Sequence, residues 1–554
     1  MCPVAGKSCV FLPFKRPVAA IRPECNNGVS APSGETGFCR VKKIRKKYYF
    51  IPVREYMSHI LESLTHQHPC IVESTPVPVI SQGAGLSIPE YRIKPYFIVA
   101  SVEMGNTTTK CVLTGTDLET GTTYIINKTV FNTRDARLPK EGEEVIATSL
   151  VGHPVSRESV AELASAVLKQ CHEEAGLRIN EDLDYIVRST GMNAAWHTPQ
   201  QVAGFIGAIA DGCIRAGASP KKLTPPLSKQ YLPKKLQAFS LMDKVTLRET
   251  VAGVIPPSAL TAEDRIVANE MEGVLAMAGI KDGALATEID FRNPCMALDF
   301  GTTVDGCITE EVPPDADTPF ARTIGSICGL GGAVADALAR GSPAVDNEKG
   351  TARDLFGDAH TPPVLTGGEK ASVREYTDRI MSLLTIGVVP ESRTTFGGVP
   401  VDSKTAAEQG IVVIGCDCGT DFSDREKIRM IGAEIFESHG PARLAEVVDR
   451  VCTRIALGII DTAVDERLVT AHTAIGFSGR AALSGRKPEY IFHGIRERNL
   501  FDNPSANIIF VEDGLARGAS LMARCMCSLG RPKHPIGGCR GGPCIIGKRT
   551  RIGY

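Results

Sequence analysis

Two short stretches decide the fold: VEMGNTTTKCVLTG at residues 102–115 and ALDFGTTVDG at residues 297–306. In each, a carboxylate, Glu103 or Asp299, follows an apolar run and precedes a turn rich in glycine and threonine. Glycine lets backbone N–H groups approach phosphate oxygens, and threonine hydroxyls can donate further hydrogen bonds. A carboxylate beside a phosphate can hold hydrated Mg²⁺ or orient an attacking water. The two stretches therefore predict two hairpins that clamp the phosphates of a nucleotide from opposite sides.

The residues around the first stretch predict an α/β unit. Ser156 is expected to cap a helix that has Glu158 in its first turn and ends at Gly176. The elements follow the order β-β-β-α-β-α, which is typical of a ribonuclease-H-like unit. The predicted strands are 97–105, 108–118, 122–133 and 184–191, and the predicted helices are 156–176 and 199–217.

The same pattern begins again near Cys295. The glycine- and proline-punctuated region 335–430 is interpreted as an insertion. We therefore expect an α/β fold in which two ribonuclease-H-like lobes face each other across a nucleotide cleft. The later elements are predicted as a helix at 444–464, strands at 468–477, 490–495 and 507–514, and a helix at 515–529.

A third segment, TAIGFSGR at residues 473–480, ends a predicted strand and opens a helix. Its small residues would let adenine and ribose lie against the backbone, although a plain strand-to-helix turn has the same pattern. Asp513 and Gly514 precede the small residues 518–520, which suit close packing between lobes. The residues expected to bind ATP are Gly105, Asn106, Thr107, Thr108, Lys110, Gly301, Thr302, Thr303, Gly476, Gly479, Arg480 and Asp513, with Glu103 and Asp299 as catalytic carboxylates.

The composition excludes several classes of function. A net charge of -1, a single Trp and 6% aromatic residues provide neither the field nor the stacking surfaces that nucleic acid needs. No apolar run reaches the roughly 18 residues of a membrane span. Pro and Lys interrupt the apolar N-terminal stretch, so no signal peptide is indicated. We expect a cytoplasmic protein with no nucleic-acid or membrane partner.

Composition also suggests the domain boundaries. Residues 1–48 hold ten Lys or Arg against two Glu and are expected to be a disordered tail. The C-terminal end is also basic and is rich in cysteine and glycine. The expected domains are the tail 1–48, a helix (Val53 to Thr65) and connector in 49–96, a first lobe 97–290, a second lobe 291–525 and a tail 526–554.

Eighteen cysteines are many for a chain expected in a reducing compartment. Four near the C-terminus have the spacing C-x-C-x₁₁-C-x₄-C, and flexible glycines could let their thiolates converge on an iron–sulfur cluster. Cys416 and Cys418, in GCDCG, form a second pair that could serve metal or redox chemistry. Buried or merely reduced thiols are the alternative for both sets. The four C-terminal candidates are Cys525, Cys527, Cys539 and Cys544.

The three segments resemble the motifs of the ASKHA superfamily, which includes acetate and sugar kinases, heat-shock chaperones and actin. VEMGNTTTKCVLTG is similar to its first phosphate motif, ALDFGTTVDG to its second, and AIGFSGRAAL to its adenosine motif. The resemblance covers about 97–525 and implies an actin-like ATPase fold that binds ATP and Mg²⁺. The superfamily pattern has Asp in the first hairpin, whereas this chain has Glu103, whose carboxylate sits one methylene further out.

Within that superfamily the sequence resembles ATP-dependent reductive activators of corrinoid proteins and of 2-hydroxyacyl-CoA dehydratases. Ser189-Thr190-Gly191 is similar to their Ser-Thr-Gly turn. Cys328, in CGLGG, resembles the cysteine at a helix N-terminus that binds their [4Fe–4S] cluster between two subunits, which implies a homodimer. A cysteine packed beneath a loop is the alternative for Cys328.

At whole-chain level the sequence is identified as a member of the methanogenesis marker protein 14 family. This resemblance rests on residues 96–260 and on the GGCRGGPC motif near the C-terminus. It implies a metalloprotein or redox partner, such as methyl-coenzyme M reductase or its activation components.

Three functions stay open from the sequence. The first is an ATPase whose hydrolysis drives reductive activation of a low-potential metalloenzyme, and the many cysteines favour it. The second is a small-molecule kinase with Asp299 as the base toward an acceptor hydroxyl. The third is a non-catalytic nucleotide-sensing assembly factor, which Glu103 makes plausible. Trp196 and His197 could line the cleft, although a lone His on a loop is more often structural or solvated. The sequence contains no HExxH motif, no P-loop and no nucleophile elbow in a fitting context.

Overall fold

The structure, a computed structural model, describes residues that all lie between Ser74 and Tyr554. The predicted tail 1–48, the helix 53–65, Trp196 and His197 fall outside the described residues. Cys527, Cys539 and Cys544 fall outside them as well. The described residues are 79–80, 96–118, 121–192, 199–223, 270–285, 287–291, 294–311, 321–357, 365–408, 410–526, 529–531 and 534–536.

The described chain is a mixed α/β structure in which helices cover strands gathered into sheets. The strands are β1 Val79–Ile80, β2 Tyr96–Met104, β3 Thr108–Asp117, β4 Thr123–Asn132, β5 Val145–Thr148, β6 Pro154–Ser156, β7 Tyr185–Thr190, β8 Cys295–Phe300, β9 Val304–Glu311, β10 Ala321–Gly329, β11 Leu384–Val388, β12 Thr395–Phe396, β13 Val399–Pro400, β14 Val412–Cys418, β15 Ala474–Ser478, β16 Ile508–Val511, β17 Leu529–Arg531 and β18 His534–Ile536. The helices are α1 Arg157–Ala175, α2 Pro199–Arg215, α3 Glu270–Ala284, α4 Gly332–Ala339, α5 Ala352–Phe356, α6 Gly367–Met381, α7 Ser403–Glu408, α8 Arg425–Asp465, α9 Arg480–Leu483, α10 Lys487–Glu497, α11 Pro504–Asn507 and α12 Gly514–Met526.

The first sheet has the strand order β4-β3-β2-β7 and confirms the predicted strands to within a few residues. β2 and β3 form an antiparallel hairpin, and β7 runs parallel to β2. β2 is buried along almost its whole length because α1 contacts it as well as α12. The capping of α1 is as expected: Ser156 accepts a hydrogen bond from the Ser159 N–H, and Gly176 ends the helix at a φ of 63°.

The second sheet has the order β1-β16-β15-β8-β9-β10-β14-β11. β8 and β9 form the second predicted hairpin, and β15 and β16 add parallel strands beside β8. On the other side β14 pairs parallel with β10, and β11 pairs antiparallel with β14. The region 335–430, predicted to be an insertion, supplies β11 and β14 at one edge of this sheet.

The prediction of a strand at 490–495 was wrong, since these residues lie in α10. Tyr490, Ile491 and Ile495 are buried, and their spacing puts them on one face of a helix. Pro488 occupies the first turn, where its missing N–H costs nothing. The aromatic and β-branched composition of the segment favoured a strand, but tertiary packing of its helical face decides the structure.

A crossing of two helices, α3 and α12, lies between the sheets. α12 contacts β2, β3 and β7 of the first sheet, and α3 contacts β8 and β9 of the second. A Cβ atom at Gly518 would lie 1.8 Å from the Leu275 carbonyl oxygen, so the backbones approach as closely as the small residues led us to expect. Arg517 is fully buried at this crossing and donates to the carbonyl of Thr123 on β4, 3.0 Å away.

The long helix α8 covers the second sheet and forms one wall of the site described below. It is broken at Gly440, whose φ is 78°, and Pro441 follows. Its second part buries an apolar face that includes Val448 and Cys452. Neither α8 nor any other helix in the described part of the chain is long and apolar enough to cross a membrane.

Candidate functional site

Both glycine- and threonine-rich turns line one cleft of about 940 Å³. The β2–β3 turn comes from the first sheet, and the β8–β9 turn comes from the second. The cleft is lined by most of the residues that the sequence selected: Glu103, Gly105, Asn106, Thr107, Thr108, Lys110, Asp299, Gly301, Thr302, Thr303, Gly479 and Arg480.

The first hairpin carries a salt bridge. Glu103 and Lys110 are directly opposite each other on β2 and β3, and the Lys110 Nζ lies 2.9 Å from the Glu103 Oε2. Burial alone would lower the pKa of Lys110, but the charges of Glu103 and Asp299 outweigh it and raise that pKa above its ordinary value. Lys110 therefore stays a cation and offsets the carboxylate of its own hairpin.

The second hairpin has no such cation. In the antiparallel register Asp299 is opposite another acid, Asp305. Burial raises the pKa of Asp299 to about 6, an effect that Lys110 opposes and Glu103 reinforces. A cation bound nearby would favour the ionised form of this carboxylate.

Sequence reasoning missed three acids that line the same cleft, and one of them is Glu272 of α3. It is only 3% exposed, and a Cβ added at Gly191 would lie 3.3 Å from its Oε2. Burial, and then the charge of Asp305, raises the pKa of Glu272 well above its ordinary value. The signal was present in the sequence, because Glu272 immediately precedes the uncharged run 273–280.

The turn threonines are hydrogen-bonded to aspartates. The Thr107 Oγ1 donates to the Asp336 Oδ2 of α4 at 3.1 Å, and the Thr303 Oγ1 donates to the Asp305 Oδ2 at 3.1 Å. Asp336 also accepts from the Ala352 N–H at 2.8 Å. Asp336 was not selected from the sequence because its burial depends on contacts between distant segments.

Asn106 holds the first turn in place. Its Nδ2 donates to the Gly191 carbonyl at 2.7 Å, and its Oδ1 accepts from the Leu150 N–H at 2.8 Å. The Thr190 hydroxyl donates to the Met104 carbonyl at 2.8 Å. The predicted Ser-Thr-Gly turn is thereby tied to the end of β2, and the side chain of Asn106 is used in structural bonds.

The predicted adenosine segment is divided between two roles. Gly479 has a φ of 84°, and a Cβ there would lie 2.6 Å from the backbone of Phe300, so only glycine fits against the second hairpin. Arg480 lines the cleft beside it. Gly476, however, lies outside the cleft within β15, where a Cβ would meet Ile280 at 2.4 Å. Gly476 is therefore a packing glycine rather than a ligand contact.

A second compartment of about 1320 Å³ adjoins the first and shares Lys110, Asp299 and Arg480 with it. Asp513 lines this compartment and has a φ of 53°. Lys128 of β4 lies 2.9 Å from carboxylate oxygens of both Asp513 and Glu512. Asp513 is thus close to the predicted site, at its edge.

The described cysteines do not form a metal centre. Cys328 lies in β10, not at the start of a helix, since α4 begins only at Gly332. Its side chain is fully buried, and burial raises the pKa of its thiol. Cys416 and Cys418 are buried thiols of β14, and Cys525 belongs to α12. In the described ranges no three His, Cys, Asp or Glu side chains are grouped to hold a metal ion by themselves.

Comparisons with known proteins reach most of the chain. An uncharacterized protein of Methanocaldococcus jannaschii is 43% identical over 462 residues, 83% of this chain and 92% of the relative. One from Methanothermobacter thermautotrophicus is 42% identical over 465 residues, 83% of this chain and 84% of the relative.

Among solved structures, a reductive activator for a corrinoid, iron-sulfur protein aligns with 77% of this chain and 60% of its own, with a TM-score of 0.30 and 11% identity. The chain thus spans less than two thirds of that activator's length. The family profile described as an uncharacterized protein conserved in archaea (DUF2114) matches residues 96–553. The chain belongs to this archaeal family.

Proposed function

We propose that this protein is an ASKHA-type ATPase whose two actin-like lobes bind ATP and Mg²⁺ in the cleft between the hairpins. One observation carries the proposal: turns from two separate sheets bring Glu103 and Asp299, with their glycines and threonines, to the same cleft. A single turn of this kind joins many unrelated strands. Two turns on opposite walls of one cleft match the need to hold a chain of phosphates at both sides.

The acidic lining fits Mg²⁺. This ion prefers hard oxygen ligands and usually keeps several waters, so carboxylates that hold its waters suffice. Glu103 and Asp299 are the candidates to hold it, and a bound cation would favour the ionised form of Asp299, whose pKa is raised by burial. Bound there, Mg²⁺ would neutralise charge on the phosphates.

The protein's own side chains supply the remaining roles. Lys110 provides the cation nearest the carboxylates and would contact phosphate oxygens when ATP displaces part of its interaction with Glu103. Asp299 and Glu272 are acids in the lining that can orient a water and accept its proton. Arg480, which lies between the two compartments, is the candidate to contact the nucleoside.

We propose that the energy of ATP hydrolysis drives reductive activation or maturation of a low-potential metalloprotein. Methyl-coenzyme M reductase is the partner that the sequence resemblance implies. Support comes from the residues of that resemblance, the Ser-Thr-Gly turn at 189–191 and the CGLGG segment at 328–332. Because Cys328 is buried in β10, we propose the C-terminal candidates, Cys525, Cys527, Cys539 and Cys544, as the ligands of a [4Fe–4S] cluster.

Two measurements test the proposal on the full chain. Calorimetry should show ATP binding, and phosphate release should occur without any acceptor and be lost in Asp299→Asn. Absence of binding under reducing conditions would refute the ATPase, and release only with an added acceptor would indicate a kinase. Iron near four per chain or per dimer after anaerobic purification would support the activator role, whereas iron-free protein would refute the cluster.

A further inference from the structure

The hydroxyl protons of Thr107 and Thr303, one threonine in each turn, are already used in hydrogen bonds. A threonine hydroxyl has one proton and two lone pairs. Thr107 gives its proton to Asp336, and Thr303 gives its proton to Asp305. In the structure both bonds run from the threonine hydroxyl to a carboxylate oxygen, so both threonine oxygens can only accept from a further partner.

Asp336 is buried where its hydrogen bond from Thr107 would be costly to lose. Its side chain is 2% exposed, and each of its oxygens has one donor: the Ala352 N–H for Oδ1 and the Thr107 hydroxyl for Oδ2. If Thr107 turned its proton elsewhere, a buried carboxylate oxygen would lose its donor, which is costly. Asp336 therefore fixes the hydroxyl of the first turn.

Both threonines line the same cleft, one from each wall. Phosphate oxygens are themselves acceptors, so an oxygen that has already given away its proton cannot bond to them. A water bound to a cation is a strong donor and suits such an oxygen, and the carboxylates Glu103 and Asp299 beside it favour positive charge.

We infer that Thr107 and Thr303 accept hydrogen bonds from Mg²⁺-bound water, and that Asp336 is the positioning residue that makes Thr107 an acceptor. The inference rests on the proposed binding of ATP and Mg²⁺. It reverses the role expected from the sequence, where these hydroxyls were phosphate donors.

The first test compares ATP binding with and without the metal in Thr107→Val. By calorimetry, the Kd for ATP in EDTA should stay within about twofold of wild type, while half-saturation by Mg²⁺ should require about tenfold more metal, as loss of one hydrogen bond to a charged group implies. Thr385→Val, the same change at an exposed position of β11, should alter neither. If the affinity in EDTA falls as much as the affinity with Mg²⁺, Thr107 is a phosphate donor and the inference is wrong.

The second test isolates Asp336. Asp336→Asn keeps an oxygen for the Ala352 N–H but turns an NH₂ toward Thr107, so the hydroxyl must accept from the amide and its own proton is released. The Mg²⁺ requirement should rise about as much as in Thr107→Val, and the double variant should show no further rise because one residue acts through the other. Additive rises would contradict a positioning role.

The outcomes separate this inference from the proposed function. If wild-type protein binds no nucleotide, both are refuted. If wild type binds ATP in a Mg²⁺-dependent way and neither variant changes that dependence, only the inference is refuted. Circular dichroism of each variant shows whether it is folded, and a conservative Thr107→Ser should restore the wild-type Mg²⁺ requirement.

Discussion

The two hairpins have the same sequence logic but opposite electrostatics. In the first, Glu103 is opposite Lys110 and forms a salt bridge with it. In the second, Asp299 is opposite Asp305, so two acids share one hairpin. The first hairpin brings its own counter-ion to the cleft, whereas the second needs one from elsewhere.

This difference explains why the carboxylates should not be equivalent. The pKa of Asp299 is raised to about 6, chiefly by burial, so this group changes its protonation near physiological pH. A group that titrates near working pH is suited to proton transfer and to recruiting a cation. Under the proposed function, the first hairpin would hold phosphate through Lys110. Glu103, which stands where the superfamily pattern has Asp, then serves as the salt-bridge partner of Lys110.

The largest effect is expected from Asp299→Asn, which removes the catalytic carboxylate proposed for the second hairpin. If the second hairpin carries the chemistry, ATP turnover should fall by about 10² to 10⁴, the usual contribution of a general base. Steady-state phosphate release measures this. Asp502→Asn, the same change at an exposed position, should leave turnover unchanged. A fall of less than threefold in Asp299→Asn would mean that Asp299 is not the catalytic carboxylate.

A smaller effect is expected from Lys110→Met, which removes the cation of the first hairpin. ATP affinity should fall about 10- to 100-fold, as for loss of a charge-assisted hydrogen bond to phosphate. Because Lys110 opposes the rise in the pKa of Asp299, the acid limb of the rate profile should also move to higher pH. Calorimetry and a pH profile measure both effects, with the exposed Lys404→Met as control. An unmoved acid limb would argue against coupling between the hairpins.

Glu103→Gln should have a milder effect than either. Its charge is already offset by Lys110, so we expect turnover to fall about threefold to tenfold through weaker Mg²⁺ binding. Glu103→Asp tests whether the extra methylene matters and should stay within about threefold of wild type if only the charge is used. Turnover measured across a Mg²⁺ titration separates the two variants. If turnover fell as much in Glu103→Gln as in Asp299→Asn, the two carboxylates would be equally important and the proposed difference between the hairpins would be wrong.

Local signals account for what the sequence predicted correctly. The hairpins and α1 are specified by nearby residues, namely the glycine turns and the caps Ser156 and Gly176. Gly476 was misassigned because a glycine in a GxxG-like turn has the same appearance whether it faces a ligand or, as here, the side chain of Ile280.

Long-range contacts account for the rest. Asp336 and Glu272 become site residues only when α4 and α3 reach the hairpins. Of the two, only Glu272 has a sequence signal, since it precedes the uncharged run 273–280. Cys328 was expected at a helix N-terminus, but β10 extends to Gly329 and places the thiol inside the core. The electrostatic difference between the hairpins could be predicted in part. Lys110 follows Glu103, and Asp305 follows Asp299, at nearly the same separation in sequence, so each is expected opposite the carboxylate of its own hairpin.

The smallest predicted effect concerns stability and has the opposite sign to the effect on activity. The folded pKa of Asp299, about 6, is above its ordinary value of 3.8, so ionising this group costs stability as pH rises through that window. The contribution is fully favourable below about pH 4 and is lost above about pH 6. Asp299→Asn cannot ionise and should melt about 2–4 °C higher than wild type at pH 7.5, with the gap closing as pH falls to 4.5. Scanning calorimetry measures the difference in melting temperature, and Asp502→Asn should show no such pH-dependent gap.

Adding ATP and Mg²⁺ should make wild type melt at a higher temperature than Asp299→Asn, since ligand stabilises only the protein that binds it well. A variant that is less stable than wild type at pH 7.5 would show that Asp299 already has its counter-ion, and the second hairpin would then be as balanced as the first.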